Sequence, residues 1–231
     1  MRQEPLVLAI ETSGRIGSAA VAAGGQMLEE IRFSAPLRHS AEIFPAIRGL
    51  LNRSGYKPGG IEHVYISAGP GSFTGLRIAV AIAKMINLAN SAKIVAVDTM
   101  DVIAANVKPA AHAGINDIAT ILDAKRGQFF AAAYHRNGNH WSKTIADCLT
   151  TPEQFLKKSA GRPVWLMGEG LVYYKDMFKA KDISFFEEGL WSPRAAMVHS
   201  IGWEKSLSGL FTDAITLQPT YLRNPQIGKD G

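Results

Sequence analysis

The stretch SAGPGSFTGLRIAVAIAKMINLA, residues 67–89, decides the fold. The apolar run at residues 64–66 that leads into it is short and rich in β-preferring side chains, which predicts a buried strand. Residues 73–89 contain good helix formers and no proline, which predicts a long helix. Ser72 is suited to cap this helix by accepting a hydrogen bond from a first-turn N–H. Between strand and helix the sequence predicts a structural glycine loop, which comprises Gly69, Gly71, Ser72 and Gly75.

The long predicted helix is apolar on nearly every side, which indicates that more than one of its faces is covered. Gly75, Ala79 and Ala83 recur every four residues, so they form a flat stripe that a second backbone can approach closely. A core helix packed between two elements of its own chain is the alternative interpretation. A second amphipathic helix is predicted to begin near Ser40. On these two helices we predict a partner interface, formed by Ile43, Phe44, Ile47, Leu51, Gly75, Leu76, Ala79, Val80 and Ala83.

Length and composition indicate an ordinary globular protein, with 231 residues of which 47% are apolar and 19% charged. The first apolar run, residues 6–10, is too short for a secretory signal or a membrane span, so we expect a cytoplasmic protein without a membrane partner. The net charge of +5 permits attraction to nucleic acid without establishing it, because the basic residues are scattered.

Cysteine and histidine form no metal-binding pattern in this sequence. The single cysteine, Cys148, excludes an internal disulfide and a multi-cysteine metal site. The six histidines include no pair that is three or four residues apart. We therefore predict no metal site.

Two segments of the chain follow the same plan, LAIETSGRIGSAAVAAGG in the first half and TILDAKRGQFFAAAYHRNG in the second. In each, an acid closes a first predicted strand, Glu11 or Asp123, and a second strand follows the turn. A strand with a glycine loop comes later in both halves. We predict an α/β protein of two lobes, residues 1–107 with the glycine loop and the partner-binding helices, and residues 108–231.

Two mixed-sheet lobes that each open with an acid-bearing hairpin resemble the actin-like ATPase (ASKHA) fold, which consists of two tandem RNase H-like lobes flanked by helices. The motifs GPGSFTGLR, HSAEIFPAI, DAKRGQ and PTYLR resemble those of the TsaB (YeaZ) family. This resemblance implies a non-catalytic scaffold that is required for threonylcarbamoyladenosine modification of tRNA. In that family the protein is a homodimer when alone, heterodimerises with the transferase TsaD and recruits the ATPase TsaE. The resemblance implies that any contact with tRNA is indirect.

The resemblance also implies a catalytically inactive paralogue of TsaD. In that transferase a histidine pair spaced by four binds the metal, and the matching positions here hold Thr99 and Ile103. We predict no catalytic residue and no cofactor of its own. The candidates for cofactor binding are Glu11, Ser13, Gly14 and Asp123, and ATP or ADP at the partner interface stays open.

An enzyme of its own is the alternative function. As a nucleotide-binding ATPase it would need a phosphate-binding hairpin in both lobes, but the second turn offers one glycine beside the bulky Lys125 and Arg126. As a glycoprotease-like hydrolase it would use Ser72 as nucleophile, yet no histidine and acid are identifiable as its partners. A dinucleotide site is a further alternative, based on the glycine loop and on Asp98 at the end of the next predicted strand.

Overall fold

Two five-stranded mixed sheets form the framework of the protein in a computed structural model, which describes residues 4–35 and 38–223. The first lobe contains β1 (Leu6–Glu11), β2 (Ser18–Ala23), β3 (Gln26–Arg32), α1 (His39–Arg53), β4 (His63–Gly69), α2 (Phe73–Asn90), β5 (Lys93–Asp98) and α3 (Thr99–Ala104). The chain continues with β6 (Asp117–Asp123), β7 (Phe129–Asn137), β8 (His140–Thr150), α4 (Pro152–Ser159), β9 (Val164–Met167), α5 (Leu171–Tyr174), β10 (Ile183–Phe185) and α6 (Ala195–Leu207).

The two sheets have the same topology. The strand order is β3-β2-β1-β4-β5 in the first, and read in the equivalent direction it is β8-β7-β6-β9-β10 in the second. In both, the first three strands pair antiparallel, and the last two join in parallel beside the first strand. This repeated topology confirms the predicted fold class of two tandem RNase H-like lobes.

Helices cover both faces of the first sheet. On one face Leu8 and Ile10 belong to a core that also contains apolar side chains of α1 and α2. On the opposite face Val7 and Ala9 pack in a core with residues of α6, as the alternation of side chains along a strand requires. Because α1 and α2 both pack on this face of the first sheet, the sides of these helices that point away from the sheet form one continuous surface region.

The lobe boundary needs a correction at the C-terminal side. Residues 108–231 were predicted to form the second lobe, but α6 contacts β1, β2, β4 and β5 of the first sheet. The apolar side chains on that face, among them Tyr65, would be exposed to water without this helix, so burial drives the return of the chain. Helix α3 in turn contributes Met100 and Ile103 to the core of the second lobe.

Each lobe also has a polar outer strand that the sequence patterns did not predict. Strand β3 is largely exposed and pairs with β2, and β8 extends the second sheet beyond β7. Within the ranges that the structure describes, no helix is both long enough and apolar enough to cross a membrane.

Candidate functional site

A cleft of about 570 Å³ lies between the two lobes. From the first lobe it is lined by the β1–β2 turn and the glycine loop, and from the second by the β6–β7 turn and the loop after β9. Residues 220–223 complete the lining. The cleft thus lies at the carboxyl ends of the central strands of both sheets, where open α/β sheets bind ligands.

The glycine loop brings the first turn of α2 directly onto the β1–β2 turn. A Cβ atom added to Gly75 would lie 1.8 Å from the carbonyl oxygen of Thr12, and one added to Gly71 would lie 2.6 Å from that of Ser13. The hydroxyl of Thr12 donates to the carbonyl oxygen of Gly75 at 2.7 Å, and the N–H of Ser72 donates to that of Ser13 at 2.8 Å. These glycines therefore permit backbone-to-backbone packing.

Ser72 caps α2, because its hydroxyl oxygen accepts a hydrogen bond from the N–H of Gly75 at 3.3 Å. Gly69, at the other end of the loop, has a φ of +120°, a conformation that favours glycine. A Cβ atom at Gly69 would also lie 2.5 Å from the carbonyl oxygen of Thr220. The loop is therefore packed against the chain on both sides.

Glu11, a candidate for cofactor binding, is fully buried and does not line the cleft. Its Oε1 accepts hydrogen bonds from the N–H and the hydroxyl of Ser13, each at 2.5 Å, and its Oε2 accepts one from the hydroxyl of Ser67. Burial raises the pKa of this carboxyl above its ordinary value, against the lowering effect of those hydrogen bonds. In this arrangement Glu11 shapes the β1–β2 turn.

The other three candidates, Ser13, Gly14 and Asp123, do line the cleft. Asp123 accepts hydrogen bonds from the N–H and the ammonium group of Lys125 at 2.9 and 2.7 Å, and from the hydroxyl of Tyr174 at 2.9 Å. Partial burial raises the pKa of Asp123, but the bonds from Lys125 and Tyr174 outweigh it and hold that pKa below its ordinary value. Asp123 is thus a paired anion.

Cations and aromatic rings surround the mouth of the cleft. The ring of Tyr173, which is 48% exposed, has the guanidinium of Arg15 at 5.5 Å and the ammonium of Lys125 at 5.2 Å from its centre. The guanidinium of Arg77 lies 3.7 Å from the centre of the Phe73 ring. Such pairs are suited to contact a flat or an anionic group.

The PTYLR segment crosses from one lobe to the other. The N–H of Thr220 donates to the carbonyl oxygen of Ala68 in the first lobe at 2.7 Å. The guanidinium of Arg223 donates to the carbonyl oxygen of Ala124 in the second lobe at 2.6 Å and to the side chain of Gln128. These residues have no helical or strand period, so the pattern held no signal for this path.

Glu169 is a second interlobe contact that the sequence analysis did not single out. It lies between β9 and α5, and only 4% of its surface is exposed. Its Oε2 accepts a hydrogen bond from the N–H of Arg15 in the first lobe at 2.6 Å, and its Oε1 accepts one from the hydroxyl of Ser192 at 2.8 Å. Burial raises the pKa of this carboxyl.

The positions that match the histidine pair of the transferase lie in the core. Thr99 and Ile103, both in α3, are fully buried. Asp98, the acid of the dinucleotide interpretation, accepts hydrogen bonds from the N–H groups of Met100 and Asp101 and so caps α3. Across residues 4–35 and 38–223, no three His, Cys, Asp or Glu side chains are grouped so that they could hold a metal ion.

The predicted partner interface needs a correction. The residues of this set that are buried inside the first lobe are Ile43, Ile47, Leu51, Gly75, Leu76, Ala79, Val80 and Ala83. The stripe of small residues faces the chain itself, because Gly75 packs on the backbone of Thr12 and Ala79 and Ala83 join the core over the first sheet. Only Phe44 of the predicted set is exposed.

The outer side of the same two helices carries other apolar residues. Phe44 on α1 is 57% exposed and Met85 on α2 is 51% exposed. Ala81 on α2 is exposed as well. We call Phe44, Ala81 and Met85 the outer helix face.

Fold and cleft together define a two-lobed protein of the actin-like ATPase class, in which side chains of the chain itself span the cleft. The chain belongs to the family described as "TsaD: tRNA N6-adenosine threonylcarbamoyltransferase", whose model matches residues 34–216.

Relatives within this family carry the name "tRNA threonylcarbamoyladenosine biosynthesis protein TsaB". The chain is 28% identical to that of Bacillus subtilis (strain 168) over 224 residues, which cover 94% of this chain and 93% of the relative. It is 25% identical to that of Escherichia coli (strain K12), with 94% of each chain covered.

Two solved structures from Pseudomonas aeruginosa share the fold. One is described as YeaZ and has a TM-score of 0.79 at 21% identity, covering 94% of this chain and all of that chain (100%). The other, described as similar to peptidase YeaZ, has a TM-score of 0.81 at 22% identity and covers 95% of this chain and 100% of that chain. The resemblance to the TsaB (YeaZ) family is thereby confirmed.

Proposed function

We propose that this protein acts in threonylcarbamoyladenosine biosynthesis on tRNA as a non-catalytic subunit, which heterodimerises with a TsaD-like transferase and recruits a TsaE-like ATPase. The names of the relatives support the process, since each matches this chain over nearly its whole length. The replacement of the histidine pair by Thr99 and Ile103 supports a non-catalytic role. A cytoplasmic location and an indirect contact with tRNA follow from the same proposal.

The exposed apolar residues of the outer helix face are the main support for the proposed heterodimer. Phe44, Ala81 and Met85 are exposed on two helices that pack side by side over one face of the first sheet. Exposed aromatic and methionine side chains are enriched at protein interfaces, where their burial contributes much of the binding free energy. A TsaD-like chain is the occupant we propose, and a second copy of this chain competes for the same face when the partner is absent.

The experiment is a measurement of mass in solution by size-exclusion chromatography with light scattering. The protein is run alone and mixed with the TsaD paralogue from the same cell. We expect a dimer alone and a one-to-one heterodimer in the mixture. A protein that is monomeric alone and stays monomeric when mixed with the paralogue would contradict the proposal.

Two charged variants localise the contact. Phe44→Asp and Met85→Asp should each weaken the heterodimer at least tenfold, because an unpaired carboxylate at the centre of an interface is strongly destabilising. Leu207→Asp is the matched control, since Leu207 is 70% exposed but lies on α6, at the opposite face of the sheet. Equal loss of binding in all three variants would remove the outer helix face from the proposal.

An enzyme of its own is the competing function, as an ATPase or a glycoprotease-like hydrolase. The cations and aromatic rings at the mouth of the interlobe cleft are the feature that favours this alternative. For the non-catalytic subunit we propose ATP or ADP at the partner interface and no cofactor of the isolated chain. Isothermal titration with ATP, with and without the paralogue, separates the two functions. Turnover of ATP by the isolated protein would support the enzyme.

A further inference from the structure

Three successive N–H groups of the β1–β2 turn donate hydrogen bonds to carboxylates. The N–H of Ser13 donates to Glu11 at 2.5 Å and that of Gly14 donates to the same carboxylate at 3.4 Å. The next N–H along the chain, from Arg15, donates to Glu169 at 2.6 Å. Successive backbone N–H groups that converge on oxygen atoms are the usual construction of an anion-binding loop.

Glu169 reaches this turn from the other lobe, and its position is built into the fold. Its neighbour Gly168 has a φ of +115°, and a Cβ atom there would lie 2.1 Å from the carbonyl oxygen of Ile121. A Cβ atom at Gly14 would lie 2.9 Å from Oε2 of Glu169, so that glycine leaves room for the carboxylate. The hydroxyl of Ser192 holds the other oxygen. The carboxylate is therefore held on both sides of the lobe junction.

The surroundings favour an anion at this point. The positive charge of Arg15 compensates part of the cost of burying the Glu169 carboxylate. Lys125 and Arg223 line the same cleft. Ser13 and Gly14 line the cleft, and Gly14 lies beside the Glu169 carboxylate. A small oxyanion placed where that carboxylate lies would meet the same N–H group and the positive charge of Arg15.

We propose that Glu169 is a built-in anion, which fills an oxyanion-binding turn of the first lobe and ties the two lobes together. While it is in place, this side of the cleft does not accept a phosphate group. Removal of the carboxylate opens a site for a small oxyanion of the phosphate class. This inference is independent of the proposed heterodimer, because it concerns the isolated chain.

The test compares the wild-type protein with Glu169→Ala, and the probe is inorganic phosphate titrated at constant ionic strength against chloride. The midpoint of thermal unfolding of Glu169→Ala should rise with phosphate, and calorimetry should show binding at least tenfold tighter than to the wild type. Glu187→Ala is the matched control, since Glu187 is an exposed acid of the same lobe. It should respond as the wild type does. A folded Glu169→Ala that binds phosphate no better than the wild type would overturn the proposal.

Two further measurements keep the proposal falsifiable if Glu169→Ala folds poorly. Glu169→Gln keeps an oxygen for the N–H of Arg15 and an amide that donates to Ser192, so it should exclude phosphate as the wild type does. The amide resonance of Arg15, followed by NMR in the wild type, should not move when phosphate is added. Tight phosphate binding by Glu169→Gln would refute the proposal that the side chain at position 169 fills the oxyanion-binding turn. A phosphate-dependent shift of the Arg15 amide in the wild type would refute it as well.

Discussion

Replacing Gly75 with alanine tests how tightly α2 is held against the β1–β2 turn. The added Cβ atom would lie 1.8 Å from the carbonyl oxygen of Thr12, so the helix must retreat by more than an ångström. The retreat stretches the hydrogen bond from the hydroxyl of Thr12 to the carbonyl oxygen of Gly75, which is 2.7 Å long.

Three contributions set the magnitude. Steric overpacking in a dense core costs about 1–3 kcal/mol, and loss of the hydrogen bond costs about 1 kcal/mol more. The higher helix propensity of alanine returns about 1 kcal/mol. The free energy of unfolding should therefore decrease by about 1–3 kcal/mol, and the midpoint of thermal unfolding should fall by roughly 2–12 °C for a chain of this length.

The assay is urea and thermal unfolding followed by circular dichroism. Gly49→Ala is the matched control, because Gly49 also lies inside a helix but its added Cβ atom meets only the flexible end of Arg53, at 3.1 Å. That variant should gain up to about 1 kcal/mol from helix propensity. If Gly75→Ala is as stable as Gly49→Ala, the close packing of the glycine loop is not what requires glycine.

Three other perturbations follow from the structure. Ala83→Asp should unfold the first lobe, because it places an unpaired charge in the core at a cost of several kcal/mol; a native circular dichroism spectrum together with lost association would contradict this. Glu11 has a raised pKa in the folded state, so the free energy of unfolding should decrease as pH rises from 4.5 through that folded pKa. Glu11→Gln should flatten this decrease in urea titrations from pH 4 to 8, whereas an unchanged slope would argue against it. Arg223→Ala should cost about 1–3 kcal/mol and speed amide exchange in the β6–β7 turn, with Lys181→Ala as an exposed control that leaves exchange unchanged.

The elements with strong periodic patterns could be predicted from the sequence. The helix predicted at residues 73–89 is observed at Phe73–Asn90, and the duplicated hairpins led to the correct fold class. Strands β3 and β8 were not predicted, because outer strands are solvated on much of their surface and lack a regular alternation of apolar and polar residues. The return of α6 to the first lobe depends on which apolar face is left uncovered in three dimensions, and no local pattern reports that.

The small-residue stripe on α2 shows why buried residues were predicted to form a partner interface. Gly75, Ala79 and Ala83 permit close approach of another backbone, and the pattern cannot say whether that backbone belongs to the same chain or to a partner. Here it belongs to the first lobe itself. Glu169 and Arg223 of the cleft were missed for a related reason, because single charged residues in loops acquire their partners only when the two lobes meet.

The position of α6 also orders events during synthesis. Nascent chains generally fold one domain at a time from the N-terminus, yet the face of the first sheet that carries Val7 and Tyr65 is covered by residues beginning at Ala195. The strands of the second lobe are therefore synthesised before α6 can complete the core of the first lobe. The first lobe is synthesised first but completed last. Until α6 packs on it, the apolar face of the first sheet is accessible to chaperones.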